Sequence, residues 1–99
     1  MAIDVSRAET IKAALTERVM SRFGETVVSV NVDFEEDSEG ADIAVVKIIF
    51  VGRSDRLDPK RMASLSADLR RTLNELDEDR LPIVRFISKN EYDHRRRVS

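Results

Sequence analysis

The sequence contains no cysteine and no tryptophan, only one histidine, and few glycine and proline residues. Without cysteine the chain can form no disulfide, no thiolate nucleophile and no cysteine-ligated metal site. No apolar run approaches the ~20 residues that cross a bilayer. The first ten residues also lack the basic and apolar regions of a secretory signal. We therefore expect a cytoplasmic protein with no membrane partner.

The residues needed for catalysis are equally scarce. Ser64 and Ser66 fall on a predicted helix and lack a G-x-S-x-G turn, and Gly52 stands alone without a glycine-rich phosphate loop. Glu35 and Glu36 are adjacent on a predicted strand, so their side chains point to opposite faces and cannot flank one substrate. Nothing assembles a nucleophile, a base and an oxyanion site, and we expect neither enzymatic activity nor a cofactor.

An acidic run between two predicted strands allows a calcium loop as an alternative. Glu35, Asp37, Glu39 and Gly40 match the first part of the EF-hand spacing. Val46 then stands where a bidentate glutamate is required, and flanking helices are not predicted. A solvated hairpin tip without a metal is the favoured interpretation.

Charge is distributed unevenly although the formal net charge is only −2. Residues 25–42 carry seven acids and no base, whereas residues 80–99 carry six bases and two acids. Such polarity can orient a partner and accelerate encounter. The last ten residues, which include His94, lose apolar periodicity, and we expect residues 90–99 to form a flexible basic tail.

Apolar spacing predicts a first helix over residues 6–23. Ser6 and Glu9 have the spacing of a capping box, and Gly24 is a natural stop. Residues 26–34 alternate in polarity and predict a strand, followed by a turn and a second strand over residues 43–51. The inward side chains of the first strand are predicted to be Val28, Val30, Val32 and Phe34.

The second helix is predicted to begin at Pro59, with Asp58 as its cap, and to end near Leu76. The acids at this end of the helix are expected to lie in a solvated loop: Glu75, Asp77, Glu78 and Asp79. Residues 81–88 predict the third strand. The chain should therefore form one domain over residues 1–99, an α+β fold of order αββαβ. Its three-stranded mixed sheet would carry both helices on one face.

This element order resembles that of type II KH RNA-binding domains and of the cytosolic C-terminal domain of cation-diffusion transporters. The GXXG loop with which KH domains clamp RNA has no counterpart in this sequence. The histidine-bearing metal positions of the transporter domain also have none.

The sheet face opposite the helices should present apolar side chains on adjacent strands, which is typical of an interface. The predicted interface residues are Val45, Lys47, Ile49, Val51, Ile83, Arg85 and Ile87. The first hypothesis is a non-enzymatic interaction module that forms a homodimer or binds another protein through this face.

A second hypothesis, from another class, is RNA binding by the basic face of the second helix and the C-terminal arm. Phosphate contacts need clustered lysine and arginine. The candidate contact residues are Arg53, Arg56, Lys60, Arg61, Arg71, Arg95, Arg96 and Arg97.

Overall fold

The structure is a computed structural model, and it describes residues 3–51, 59–91 and 93. Two helices, a short 3-10 turn and three strands follow one another along the chain. Their bounds are α1 Val5–Phe23, the 3-10 turn Gly24–Thr26, β1 Val27–Glu36, β2 Asp42–Phe50, α2 Pro59–Glu75 and β3 Leu81–Ser88. Residues 89–91 and 93 are also helical.

The three strands form one mixed sheet in the order β1-β2-β3. β1 is antiparallel to β2, and β3 is parallel to β2. Apolar residues of α1 and α2 share one core with the same sheet face, centred on Leu15, Leu69, Val46 and Ile48. The predicted two-layer α+β fold with both helices on one face is confirmed.

Helix α1 begins one residue earlier than predicted, and its cap differs. Asp4 is the N-cap, and its Oδ1 accepts hydrogen bonds from the amides of Ser6 at 2.7 Å and Arg7 at 3.3 Å. The predicted capping box of Ser6 and Glu9 is therefore wrong, because Asp4 lies in extended backbone directly before the first helical residue. Gly24 ends the helix as predicted, with φ 55°.

The inward assignment of Val28 is also wrong. The register between β1 and β2 shifts between Val27 and Ser29, which is the mark of a β-bulge. Val27 is 5% exposed, whereas Val28 is 47% exposed. The extra residue reverses the alternation at the start of the strand. From Val30 onward the predicted inward positions hold, since Val30, Val32 and Phe34 pack in or against the core.

The turn after α2 is less solvated than predicted. Helix α2 ends at Glu75, close to the predicted Leu76, and β3 has its predicted bounds. Glu78, however, is only 8% exposed, and Glu75 is the last residue of α2, so the assignment of all four acids to a solvated loop is wrong for these two residues. Glu78 is buried because its carboxylate forms ion pairs with Arg80 and Arg7. The predicted cap, Asp58, lies outside the described residues.

Strand β2 is buried on both faces. The side chains of Ala44, Val46, Ile48 and Phe50 point toward the helices, and these residues are at most 2% exposed. The alternate residues, which include Val45, Lys47 and Ile49, face away from the helices.

Truncation of a core leucine measures how tightly the two layers pack. Leu69→Ala should lower the free energy of unfolding by about 2–5 kcal/mol, because Leu69 is fully buried and a cavity would remain. The matched control is Leu81→Ala, at a position 45% exposed, which should cost under about 1 kcal/mol. Urea unfolding followed by circular dichroism measures both values. Equal losses for the two variants would contradict the assigned core.

Candidate interaction surfaces

The face of the sheet turned away from α1 and α2, called the outer face, contains rows of laterally aligned residues. Val45 aligns with Asp33 on β1 and Ile83 on β3. Lys47 aligns with Asn31 and Arg85 in the next row, and Ile49 aligns with Ser29 and Ile87 beyond it. The strand register therefore brings the predicted interface residues of β2 and β3 together, apart from Val51, which follows the end of β2.

Exposure on the outer face is smaller than the sequence predicts. Val45 and Ile49 are only 2% and 1% exposed, so their expected exposure is wrong. Both lie on the central strand with neighbouring strands on each side. Ile83 and Ile87 are half-buried. The accessible part of the predicted interface is the group Lys47, Val51, Arg85, Ile83 and Ile87.

The outer face is electrically polarised across its strands. Asp33 and Glu35 are exposed on β1, whereas Arg85 is exposed on β3. Between them, Lys47 Nζ lies 3.6 Å from Asp33 Oδ2, and both side chains are substantially accessible. The β1 side of this face is thus acidic and the β3 side basic.

The basic residues proposed for RNA contact are only partly gathered by the fold. Lys60 and Arg61 are exposed in the first turn of α2. Arg71 is about 15 Å further along the helix at 1.5 Å per residue, and its Nη2 lies 3.8 Å from Asp68 Oδ1. The other predicted contacts lie outside the described residues: Arg53, Arg56, Arg95, Arg96 and Arg97.

The acidic turn between β1 and β2 is organised by one carboxylate. Asp37 Oδ1 accepts hydrogen bonds from the amides of Glu39 and Ala41, each at 2.9 Å. The Gly40 amide bonds the Asp37 carbonyl at 3.0 Å, and Gly40 has φ 85°, which suits glycine. Asp37 therefore stabilises the turn.

An ion-pair cluster just after the C-terminal end of α2 was not predicted. Arg80 Nη1 donates to Glu78 Oε1 at 2.9 Å, and Arg7 Nε lies 3.5 Å from Glu78 Oε2. Arg7 also donates to the Leu76 carbonyl. These contacts attach the start of α1 to the turn between α2 and β3. Glu78 and Arg80 are only two residues apart, but no spacing rule in the sequence connects Arg7 to this turn.

A second unpredicted contact joins the two helices. Asp68 is 6% exposed on α2, and its Oδ2 accepts a hydrogen bond from Arg22 Nε on α1 at 3.1 Å. Arg22 Nη1 also donates to Ser64 Oγ at 2.8 Å. A signal was available for Asp68, because it lies beside Leu69 and three residues after Leu65, within the buried stripe of the helix.

A groove of about 400 Å³ lies between α1 and the end of β1 near the β1–β2 turn. Among the described residues, no strand pairs with β1 on the side away from β2. The lining residues are Ile3, Lys12, Val32, Asp33, Phe34, Glu35, Glu36, Asp42 and Arg80. Lys12 Nζ lies 5.9 Å and the Arg80 guanidinium carbon 5.3 Å from the centre of the Phe34 ring. Both distances are within the range of cation–π attraction.

Comparison with known proteins supports the fold alone. No family model matches the chain, and no curated protein matches it. A solved structure of a protein described as a zinc transporter, CzrB, is similar with a TM-score of 0.52 at 13% sequence identity. The similarity covers 89% of this chain and 99% of that one. At this identity the likeness shows a shared fold and carries no function.

Residues 3–51, 59–91 and 93 contain no group of three or more histidine, cysteine or acidic side chains placed to hold a metal ion. Over the same ranges, no helix is long and apolar enough to cross a membrane.

The buried cluster predicts a stability effect. Glu78→Ala should lower the free energy of unfolding by about 3 kcal/mol, because it removes one partner from a buried ion pair with Arg80. Asp79→Ala is the matched control at an exposed neighbouring position and should change stability by about 0.5 kcal/mol or less. Thermal and urea unfolding measure both variants. Equal stability of the two variants would show that the Glu78 contacts contribute little.

Proposed function

We propose that the protein is a non-enzymatic interaction module that forms a homodimer through its outer sheet face. The observation that carries the proposal is the polarity of this face, which is acidic along β1 and basic along β3. Half-buried Ile83 and Ile87 lie on the same face as these charges. Apolar surface bordered by charged groups is typical of protein interfaces.

Charge complementarity supports a second copy as the partner. A two-fold axis that runs along β2 in the interface would place β1 of each protomer over β3 of its partner. Asp33 of one copy would then lie across from Ile83 of the other, about 7 Å along the strand from Arg85. The symmetric contact would form at the same time. An axis perpendicular to the strands would instead place the acidic β1 strands over each other. Attraction between unlike charges therefore favours the first arrangement.

The size of the available surface limits the strength of this dimer. Val45 and Ile49 are already buried within one chain and can contribute little further apolar area. The accessible apolar residues of the face are half-buried or lie near its ends, as Val51 does. We therefore expect a weak, salt-sensitive dimer rather than an obligate one, since exposed charge pairs are screened by ions.

Charge reversal on the outer face tests the proposal. Arg85→Glu should raise the dimer dissociation constant by about tenfold or more, because it faces the partner's acidic strand with another acid. Arg18→Glu reverses an exposed arginine on α1 and should leave the dimer intact. Sedimentation equilibrium at low and high salt measures association, and circular dichroism checks folding.

Two results would overturn the dimer. One is a wild-type protein that remains monomeric at several hundred micromolar. The other is an equal effect of Arg85→Glu and Arg18→Glu. An electrophoretic mobility shift with RNA at near-physiological salt belongs to the same experiment, because retarded RNA with a monomeric protein would support the RNA-binding hypothesis in its place.

A further inference from the structure

The free edge of β1 is a second surface that can bind a partner. Within the described part of the chain, β1 pairs only with β2 and has no strand on its other side. A strand at the edge of a sheet presents backbone amides and carbonyls that can pair with another extended segment. The bulge between Val27 and Ser29 disrupts regular pairing at one end of β1. The regular part of the edge is therefore the part near the turn to β2.

The charged side chains beside the β1 edge indicate which kind of peptide segment would bind there. Four carboxylates and two cations line the groove beside it. Both cations already contact other groups, because Lys12 and Arg80 lie against the Phe34 ring and Arg80 also binds Glu78. On the outer side of β1, Asp33 and Glu35 are exposed and two residues apart, and Asp33 Oδ2 lies 3.6 Å from Lys47 Nζ. An extended arginine-rich segment is complementary to this edge.

We propose that the edge of β1 binds, by strand addition, residues 95–97 of another copy of this chain. The segment contains three consecutive arginines. In an extended strand Arg95 and Arg97 would share one face at the same two-residue period as Asp33 and Glu35. Arg96 would point to the other face, on which Glu36 lies by the alternation of β1.

The geometry of the sheet requires the arginine segment to come from a second molecule. A strand added beside β1 would be three strand spacings away from β3. The residue of that strand that lies next to Glu35 would be about 27 Å from Ser88. Residues 89–91 and 93 are helical, so this part of the chain advances only about 1.5 Å per residue. Even with a fully extended chain after residue 93, Arg97 reaches about 21 Å from Ser88. Arg95 reaches about 14 Å. The same chain cannot place both arginines along its own β1.

This contact uses the backbone edge of β1 and the C-terminal segment, but it shares Asp33 and Glu35 with the acidic side of the outer face. The test uses the full chain in three forms. These are the wild type, a tail variant with Arg95→Glu and Arg97→Glu, and an edge variant with Asp33→Lys and Glu35→Lys. The tail variant and Arg85→Glu, which each change only one of the two contacts, separate the edge contact from the proposed dimer. Hydrogen exchange of the amides of residues 31–36 is measured at increasing protein concentration. Sedimentation velocity and thermal melting are run alongside.

The expected result is a reciprocal rescue. Wild-type amides on the edge should exchange at least about tenfold more slowly at high concentration than at low concentration. Each variant alone should lose this dependence, since like charges would meet. An equimolar mixture of the two variants should regain it, because the acidic tail of one fits the basic edge of the other. High salt should weaken the effect.

Several results would overturn the proposal. These are wild-type exchange that does not depend on concentration, a tail variant that keeps the dependence, or two folded variants whose mixture stays unprotected. If the edge variant does not fold, Asp33→Asn with Glu35→Gln tests the same surface and must lose the protection. Arg85→Glu serves as the control that separates the two contacts. It should weaken the outer-face dimer and leave the concentration dependence at β1 unchanged.

Discussion

The burial of β2 on both faces is the constraint on which the remaining structure depends. A strand with Val46 and Ile48 on one side and Val45 and Ile49 on the other must have neighbours on both edges and cover on the helical face. β1 supplies one neighbour through a short turn. β3 supplies the other only after α2 has crossed the sheet, which also places α2 over the core. The helix-facing side chains of β2 thus form the centre of the core that the two layers share.

Most of the fold was predictable because it depends on local periodicity. The bounds of β3, the stop at Gly24 and the core stripe of α2 follow from patterns within a few residues. The bulge at Val28 could not be predicted, because either valine of the pair would satisfy the alternation. Glu78 was misplaced for a different reason. Its carboxylate pairs with Arg80 two residues later in the same turn and with Arg7 on α1, and the sequence contains no local sign of the contact with Arg7.

The sequence predicts on which face of the sheet the candidate interface residues lie, but it does not predict how exposed their side chains are to solvent. Strand alternation places Val45 and Ile49 away from the helices, yet it contains no information on their solvent exposure. The acidic and basic regions were evident from composition. Their arrangement on opposite sides of one face was not, because it depends on which strand occupies the centre of the sheet. The groove beside β1 exists only once α1 has packed.

The parallel pairing of β2 with β3 has a consequence for the order of folding. Glu36 and Asp42 pair although they are only six positions apart, and Asp37 bonds the turn between them, so the hairpin can close early and quickly. Ile43 and Leu81 are 38 residues apart, and their pairing must await the larger loss of chain entropy that closing this segment requires. During synthesis β2 therefore emerges with one edge unpaired until α2 and β3 follow. Slow translation after the hairpin should extend this aggregation-prone interval.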